Sequence, residues 1–338
     1  MSSPILAVER LGMPWQTQDP FLFSVHHLDH YPAGNDQLGP DASLAGRRIG
    51  ADFGGKDGWS MYHGQHVPGF PHHPHRGFET ITVVERGYAD HTDSLGATGR
   101  FGQGDVQWMT AGKGVLHSEM FPLLDPEGPN TLELFQIWLN LPRKSKMVPP
   151  NYQMLWAEDI PVVTTTDSKG NQTSVKVIAG DYGAQSALPP PPHSWAAESD
   201  NQLAVWLIRM EAGAQWQLPA AGAGLNRALY IYQGDTVSVA GRKIENYHSV
   251  QLRSEEATDI VAGKAAVSML LLQGRPINEP VVQHGPFVMN TPEEINMAFA
   301  EYRKTQFGGW PWPSDEHVHP RERGRFALYP DGSEESRG

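Results

Sequence analysis

The chain has 338 residues, with 38 Asp and Glu against 26 Lys and Arg, a formal net charge of −12. That balance argues against a nucleic-acid binder working by phosphate neutralisation; the only dense basic groups, Arg143-Lys144-Ser145-Lys146 and Arg321 to Arg325, read as solvated loop charge. A hydrophobic content of 39% fits a folded globular chain, while zero Cys excludes disulfides and thiolate metal sites. No apolar run is long enough to span a membrane, and residues 1–16 lack a basic segment followed by an apolar core, so a cytoplasmic protein is expected.

Taken in order, Phe21–Leu28, Phe78–Glu85, Tyr88–Asp93, Val106–Thr110 and Leu132–Leu139 read as strands joined by Gly-rich turns such as Ser94 to Gly99 and Phe101 to Asp105. A less regular stretch follows from Pro142 to Pro161, with a short helix expected at Tyr152–Glu158. Leu188 to Pro192 is a stiff extended connector. Strands resume at Leu203–Met210, Ala228–Gln233, Thr236–Val239, Ser249–Leu252 and Ala265–Leu272. This second run looks like a worn copy of the first. Setting Gly87 against Gly234 brings Ile81 to Arg86 opposite Ala228 to Gln233, and places His73 and His75 opposite Ala220 and Gly222. One helix stands out near the C-terminus: Thr291 as N-cap, Pro292 at the first position and Glu294 completing a capping box, with Ile295, Ala298, Phe299 and Tyr302 at helical spacing before Gly308-Gly309. The remainder, Trp310 to Gly338, is rich in Pro, Gly and charge and is expected to lie across the surface or fray.

Two short pairs carry the chemistry: His73-Pro74-His75 and His117-Ser118-Glu119. An i, i+2 spacing on a strand turns both side chains to one face, about 6.5–7 Å apart along the backbone. Two such strands bent around a common point bring together three imidazoles and one carboxylate. Iron, manganese, nickel, copper and zinc all accept that donor set. The frame Gly104-Asp105 to Thr110-Ala111-Gly112 and on to His117 describes a strand, a tight glycine turn and a further strand delivering a histidine inward. Around this cluster, Glu79 reads either as a hydrogen-bond partner of a ligand histidine or as an ordinary inward polar group. Arg76 reads as a structural ion pair, and His91 and Asp93 as turn-stabilising groups.

The stretches Phe70 to Thr80 and Gly104 to Glu119 strongly resemble the pirin family of the cupin superfamily, with further matches at Leu139-Asn140-Leu141-Pro142 and Gly285 to Thr291. The resemblance covers about Leu22 to Phe307. It implies an all-β fold of two cupin (jelly-roll) β-barrels packed together, with the short C-terminal helix. The expected division is an N-terminal metal-binding barrel over 1–145, a connecting segment over 146–195, a ligand-free barrel with helix over 196–308, and a surface tail over 309–338.

The resemblance also implies His73, His75, His117 and Glu119 as ligands of one mononuclear divalent metal, Fe(II) first, with Mn, Ni, Cu, Co or Zn as alternatives. Some pirins open the ring of the flavonol quercetin with dioxygen, which makes a quercetin 2,3-dioxygenase-type oxidoreductase the leading expectation. Glu119 would be the catalytic base, taking the 3-hydroxyl proton of the substrate. Other pirins are metal- or redox-responsive regulators that bind a transcription factor or a metabolic enzyme, and that is the alternative. A monomer, with no nucleic acid and no membrane as partner, is expected.

Overall fold

The computed structural model describes residues 3–338, and antiparallel strands dominate it. Contacts group the chain into two units: the N-terminal segment up to Val25 with Glu158–Asn278, and His26–Ala157 with Glu279–Gly338. Where the sequence reading runs its domains consecutively, the structure exchanges the chain ends. Ile5–Arg10 pairs with His248–Leu252, and Arg325–Leu328 pairs with Thr98–Gly102.

The unit around Glu158–Asn278 is a cupin barrel of two sheets. Seven strands form one, in the order Ile5–Arg10, His248–Leu252, Asn226–Gln233, Val267–Gly274, Ala204–Met210, Gln172–Ala179 and Val162–Thr166. Four form the other: Gln215–Leu218, Thr258–Ala262, Thr236–Val239 and Arg242–Glu245. The strand Ala204–Met210 is apolar and buried at every position except the exposed Arg209. Its residues Ala204, Trp206, Ile208 and Met210 enter one core with Leu229, Ile231, Met269 and Leu271.

The unit containing His26–Ala157 repeats the plan. One sheet runs Asn151–Leu155, Asp105–Thr110, Phe78–Arg86, Asn130–Asn140 and Phe21–Tyr31. The facing sheet runs Glu334–Arg337, Arg325–Leu328, Thr98–Gly102, Tyr88–Asp93, Val115–Met120 and Gly69–His75. Phe78–Arg86 and Asn226–Gln233 hold corresponding central places, and both are followed by a glycine at positive φ, 78° at Gly87 and 112° at Gly234. A Cβ at Gly87 would lie 2.8 Å from Thr131 O, so the turn is closed to other residues.

The strands expected from sequence appear with ends shifted by one to three residues, and Tyr88–Asp93 and Thr236–Val239 coincide. The helix is Pro292–Thr305, with Thr291 and Glu294 in the reciprocal capping box. Ile295 and Ala298 are buried against Phe287 and Met289.

Three expectations are corrected. Asn151–Leu155 is a strand rather than part of a helix, because Tyr152 and Met154 alternate inward with period two against Asp105–Thr110. The tail adds the strands Arg325–Leu328 and Glu334–Arg337 to a sheet. Lys146 is not solvated loop charge: it is buried, and its Nζ donates to Gly77 O, Asn140 Oδ1 and Val288 O at 2.8, 2.7 and 3.2 Å. Among the described residues, no helix is long and apolar enough to cross a membrane.

Candidate metal centre

The strands Gly69–His75 and Val115–Met120 pair antiparallel, with His73 directly opposite His117. His75, two residues beyond His73, falls on the same face, so three rings meet. His73 Nε2 lies 3.1 Å from His75 Nε2 and 3.0 Å from His117 Nε2. His73 Nδ1 is 2.9 Å from Pro71 O; donating there leaves Nε2 with a single lone pair. One lone pair cannot serve two donors, so the protein alone leaves the cluster unsatisfied, while a cation among the three nitrogens would satisfy it. Burial holds the His73 imidazole down to about 4, and those of His75 and His117 well below their usual range. Near neutrality the rings are uncharged and their lone pairs are available. The three histidines, taken together, could hold a metal ion.

Glu119 stands slightly apart. Its Oε2 lies 3.9 Å from His117 Nε2, and its two oxygens accept from Thr82 Oγ1 at 3.0 Å and Gln136 Nε2 at 2.6 Å. Burial raises its pKa, against the pull of His91, Gln136 and Thr82. Each carboxylate oxygen has a second lone pair, so both donors can stay while Glu119 faces a cation or a proton. Thr82 and Gln136 escape a reading of the sequence. They are cross-strand partners on Phe78–Arg86 and Asn130–Asn140, and only the register places them under Glu119.

Aromatic rings wall the cluster. Trp138 meets His75 edge-on at 5.1 Å and stacks on Phe78 at 3.9 Å. His91 lies 5.5 Å from His117, stacks on Tyr152 at 4.9 Å, and is 3.4 Å from Asp93 Oδ2. Asp93 Oδ1 accepts from Leu95 N and Ala97 N, the turn-holding role expected of it. Arg76 is a structural ion pair: Nη1 reaches Glu301 at 2.9 Å, Nε donates to Lys113 O, and the guanidinium lies over Phe307. Glu79 is buried and accepts from Thr110 Oγ1 at 2.6 Å. Trp108 and Met109 are both buried in the wall. Other histidines are engaged elsewhere: His26 with Glu133, His27 with Tyr62 and His66 with Glu316.

The tail reaches the strand that carries His73 and His75. Trp310 stacks on His72 with centroids 5.0 Å apart, and His72 N donates to Asp315 O.

Comparison with known proteins bears on this arrangement. The family model described as Pirin matches residues 49–139, and that of the Pirin C-terminal cupin domain matches 205–308. A Pseudomonas aeruginosa protein named "Putative quercetin 2,3-dioxygenase" is 38% identical over 239 residues, 71% of this chain and 79% of that one. Human pirin is 37% identical over 246 residues, 71% of this chain and 78% of its own length. The crystal structure of quercetin 2,3-dioxygenase from Acinetobacter baumannii superposes with a TM-score of 0.71 at 28% identity, over 91% of this chain and 99% of that one. The motifs around His73 and His117, the duplicated barrel and these relatives agree: the chain belongs to the pirin family.

Proposed function

We propose that this pirin is a dioxygenase dependent on one mononuclear divalent metal, opening the ring of a flavonol such as quercetin with dioxygen. Fe(II) is the leading candidate for the metal, with Mn, Ni, Cu, Co and Zn compatible with the same donors. The observation that carries the reading is the convergence of three imidazoles, with His75 Nε2 and His117 Nε2 lying 3.1 and 3.0 Å from His73 Nε2 and Glu119 beside them. His73, His75, His117 and Glu119 would hold the ion. Bound there, it would supply Lewis acidity toward the flavonol 3-oxygen.

The remaining work falls to the protein. The bond from His73 Nδ1 to Pro71 O fixes that ring and its tautomer. Thr82 and Gln136 aim the Glu119 carboxylate, whose raised pKa suits it to receive the 3-hydroxyl proton at an oxygen. Phe78 and Trp138 beside His75 keep bulk water from the reacting face.

The test combines metal analysis of the purified chain with loss of quercetin absorbance in air after iron loading. Turnover that scales with iron content supports the proposal. Full iron occupancy with no turnover refutes it and favours the regulatory alternative.

A further inference from the structure

The second barrel carries Ala220 and Gly222 where the first carries His73 and His75, yet its interior is not purely apolar. On the strand Asn226–Gln233, Leu229 and Ile231 point into the core, and Arg227 shares their face one step nearer the strand's beginning. Gln273 is its cross-strand neighbour and Ala204 the next one across. Arg227 is 2% exposed. Its Nε donates to Gln273 Oε1 at 2.6 Å and its Nη1 to Pro219 O at 2.8 Å, and no carboxylate pairs with it among the described residues. A buried guanidinium without a counter-charge is costly unless something else supplies one. Burial lowers its pKa to about 10, so the charge persists at neutral pH.

Arg227 lines a cavity of about 450 Å³ together with Gln273, Gln202, Trp206, Pro189 and Pro190. Trp206 adds an independent sign: its indole N–H is buried and has no hydrogen-bond acceptor. Asp181 and Glu198 stand on the exposed lining and neither pairs with Arg227. A buried cation, an orphan N–H and an apolar wall in a space of ligand size describe a receptor for a small planar anion.

We propose that this barrel binds a small organic monocarboxylate, its oxygens taking the Nη2 donor of Arg227 and its body lying against Trp206. A single buried positive charge balances a carboxylate better than a phosphate dianion. The site is separate from the histidine cluster and does not depend on the dioxygenase reading.

Calorimetric titration of the full chain with benzoate, with benzamide as its neutral isostere and with inorganic phosphate tests this. Benzoate is expected to saturate one site per chain, with benzamide and phosphate at least about tenfold weaker, as loss of one charge-assisted hydrogen bond implies. Arg227→Gln should weaken benzoate by a similar factor, while His117→Ala leaves it unchanged. If Arg227→Gln lowers the unfolding midpoint, Ala220→Trp decides. It fills the lining from an exposed position, and lost benzoate binding at an unchanged midpoint supports the site. No saturable benzoate binding to the wild type, preference for phosphate, or full affinity in Arg227→Gln or Ala220→Trp would overturn the proposal, as would loss of binding in His117→Ala.

Discussion

Arg100 is the fastening between the tail and the barrel that carries the histidine cluster, and its removal is the sharpest test of that arrangement. Its Nε and Nη2 donate to the two oxygens of Asp90 at 2.7 and 2.8 Å, with both side chains fully buried. The same guanidinium donates to the carbonyls of His319, Pro320 and Arg323, at 2.8–2.9 Å. Arg100→Ala would leave Asp90 a buried carboxylate without a cation, and breaking such a pair from one side costs about 3–5 kcal/mol. For a unit of roughly 190 residues each kcal/mol moves the midpoint by about 2–4 °C, so its thermal transition should fall by roughly 6–20 °C. Removing Asp90 as well should return part of the loss, because no uncompensated charge remains. Scanning calorimetry gives the midpoint, and limited trypsin digestion gives the protection of the segment after His319. A drop under about 2 °C with undiminished protection would refute the account of the tail as fastened by this charge pair.

Other outcomes follow from the site and its surroundings. Glu119→Gln is expected to keep some bound metal and to lose most quercetin turnover, read by metal analysis alongside absorbance; full turnover would sink the proton-acceptor role. His27 is buried beside Tyr62 and its pKa is lowered to about 4. Its unfolded form takes up a proton near the ordinary value of about 6.5 while the native form does not, so stability falls as pH drops from about 6.5 towards 4. His27→Gln should flatten that fall by about 1–2 kcal/mol at pH 5 in urea melts, and an unchanged pH profile would contradict the burial argument. Thr291→Ala removes the helix cap and should cost about 1 kcal/mol, measured by the same melts.

What could be read from the residues follows their local periodicity. His73-Pro74-His75 and His117-Ser118-Glu119 are legible because strand geometry alone puts alternate side chains on one face. The helix at Pro292 was equally plain, since capping chemistry is local. The hidden features depend on partners far away in sequence. Lys146 sits in a basic run and looks solvated until Gly77 and Val288 supply carbonyls to its ammonium group. Thr82 and Gln136 are ordinary strand residues until the register sets them against Glu119. The tail reads as lying across the surface or fraying because its Pro and Gly content hides the short alternation that lets Arg325–Leu328 join a sheet edge.

The exchange of chain ends bears on how the protein is made. During synthesis His117 emerges long before the strand Arg325–Leu328 that completes its sheet. A ribosome-bound chain already carrying all three imidazoles therefore still shows an open hydrogen-bonding edge at Thr98–Gly102. Until Arg325–Leu328 has been made, that edge is free to pair with another strand.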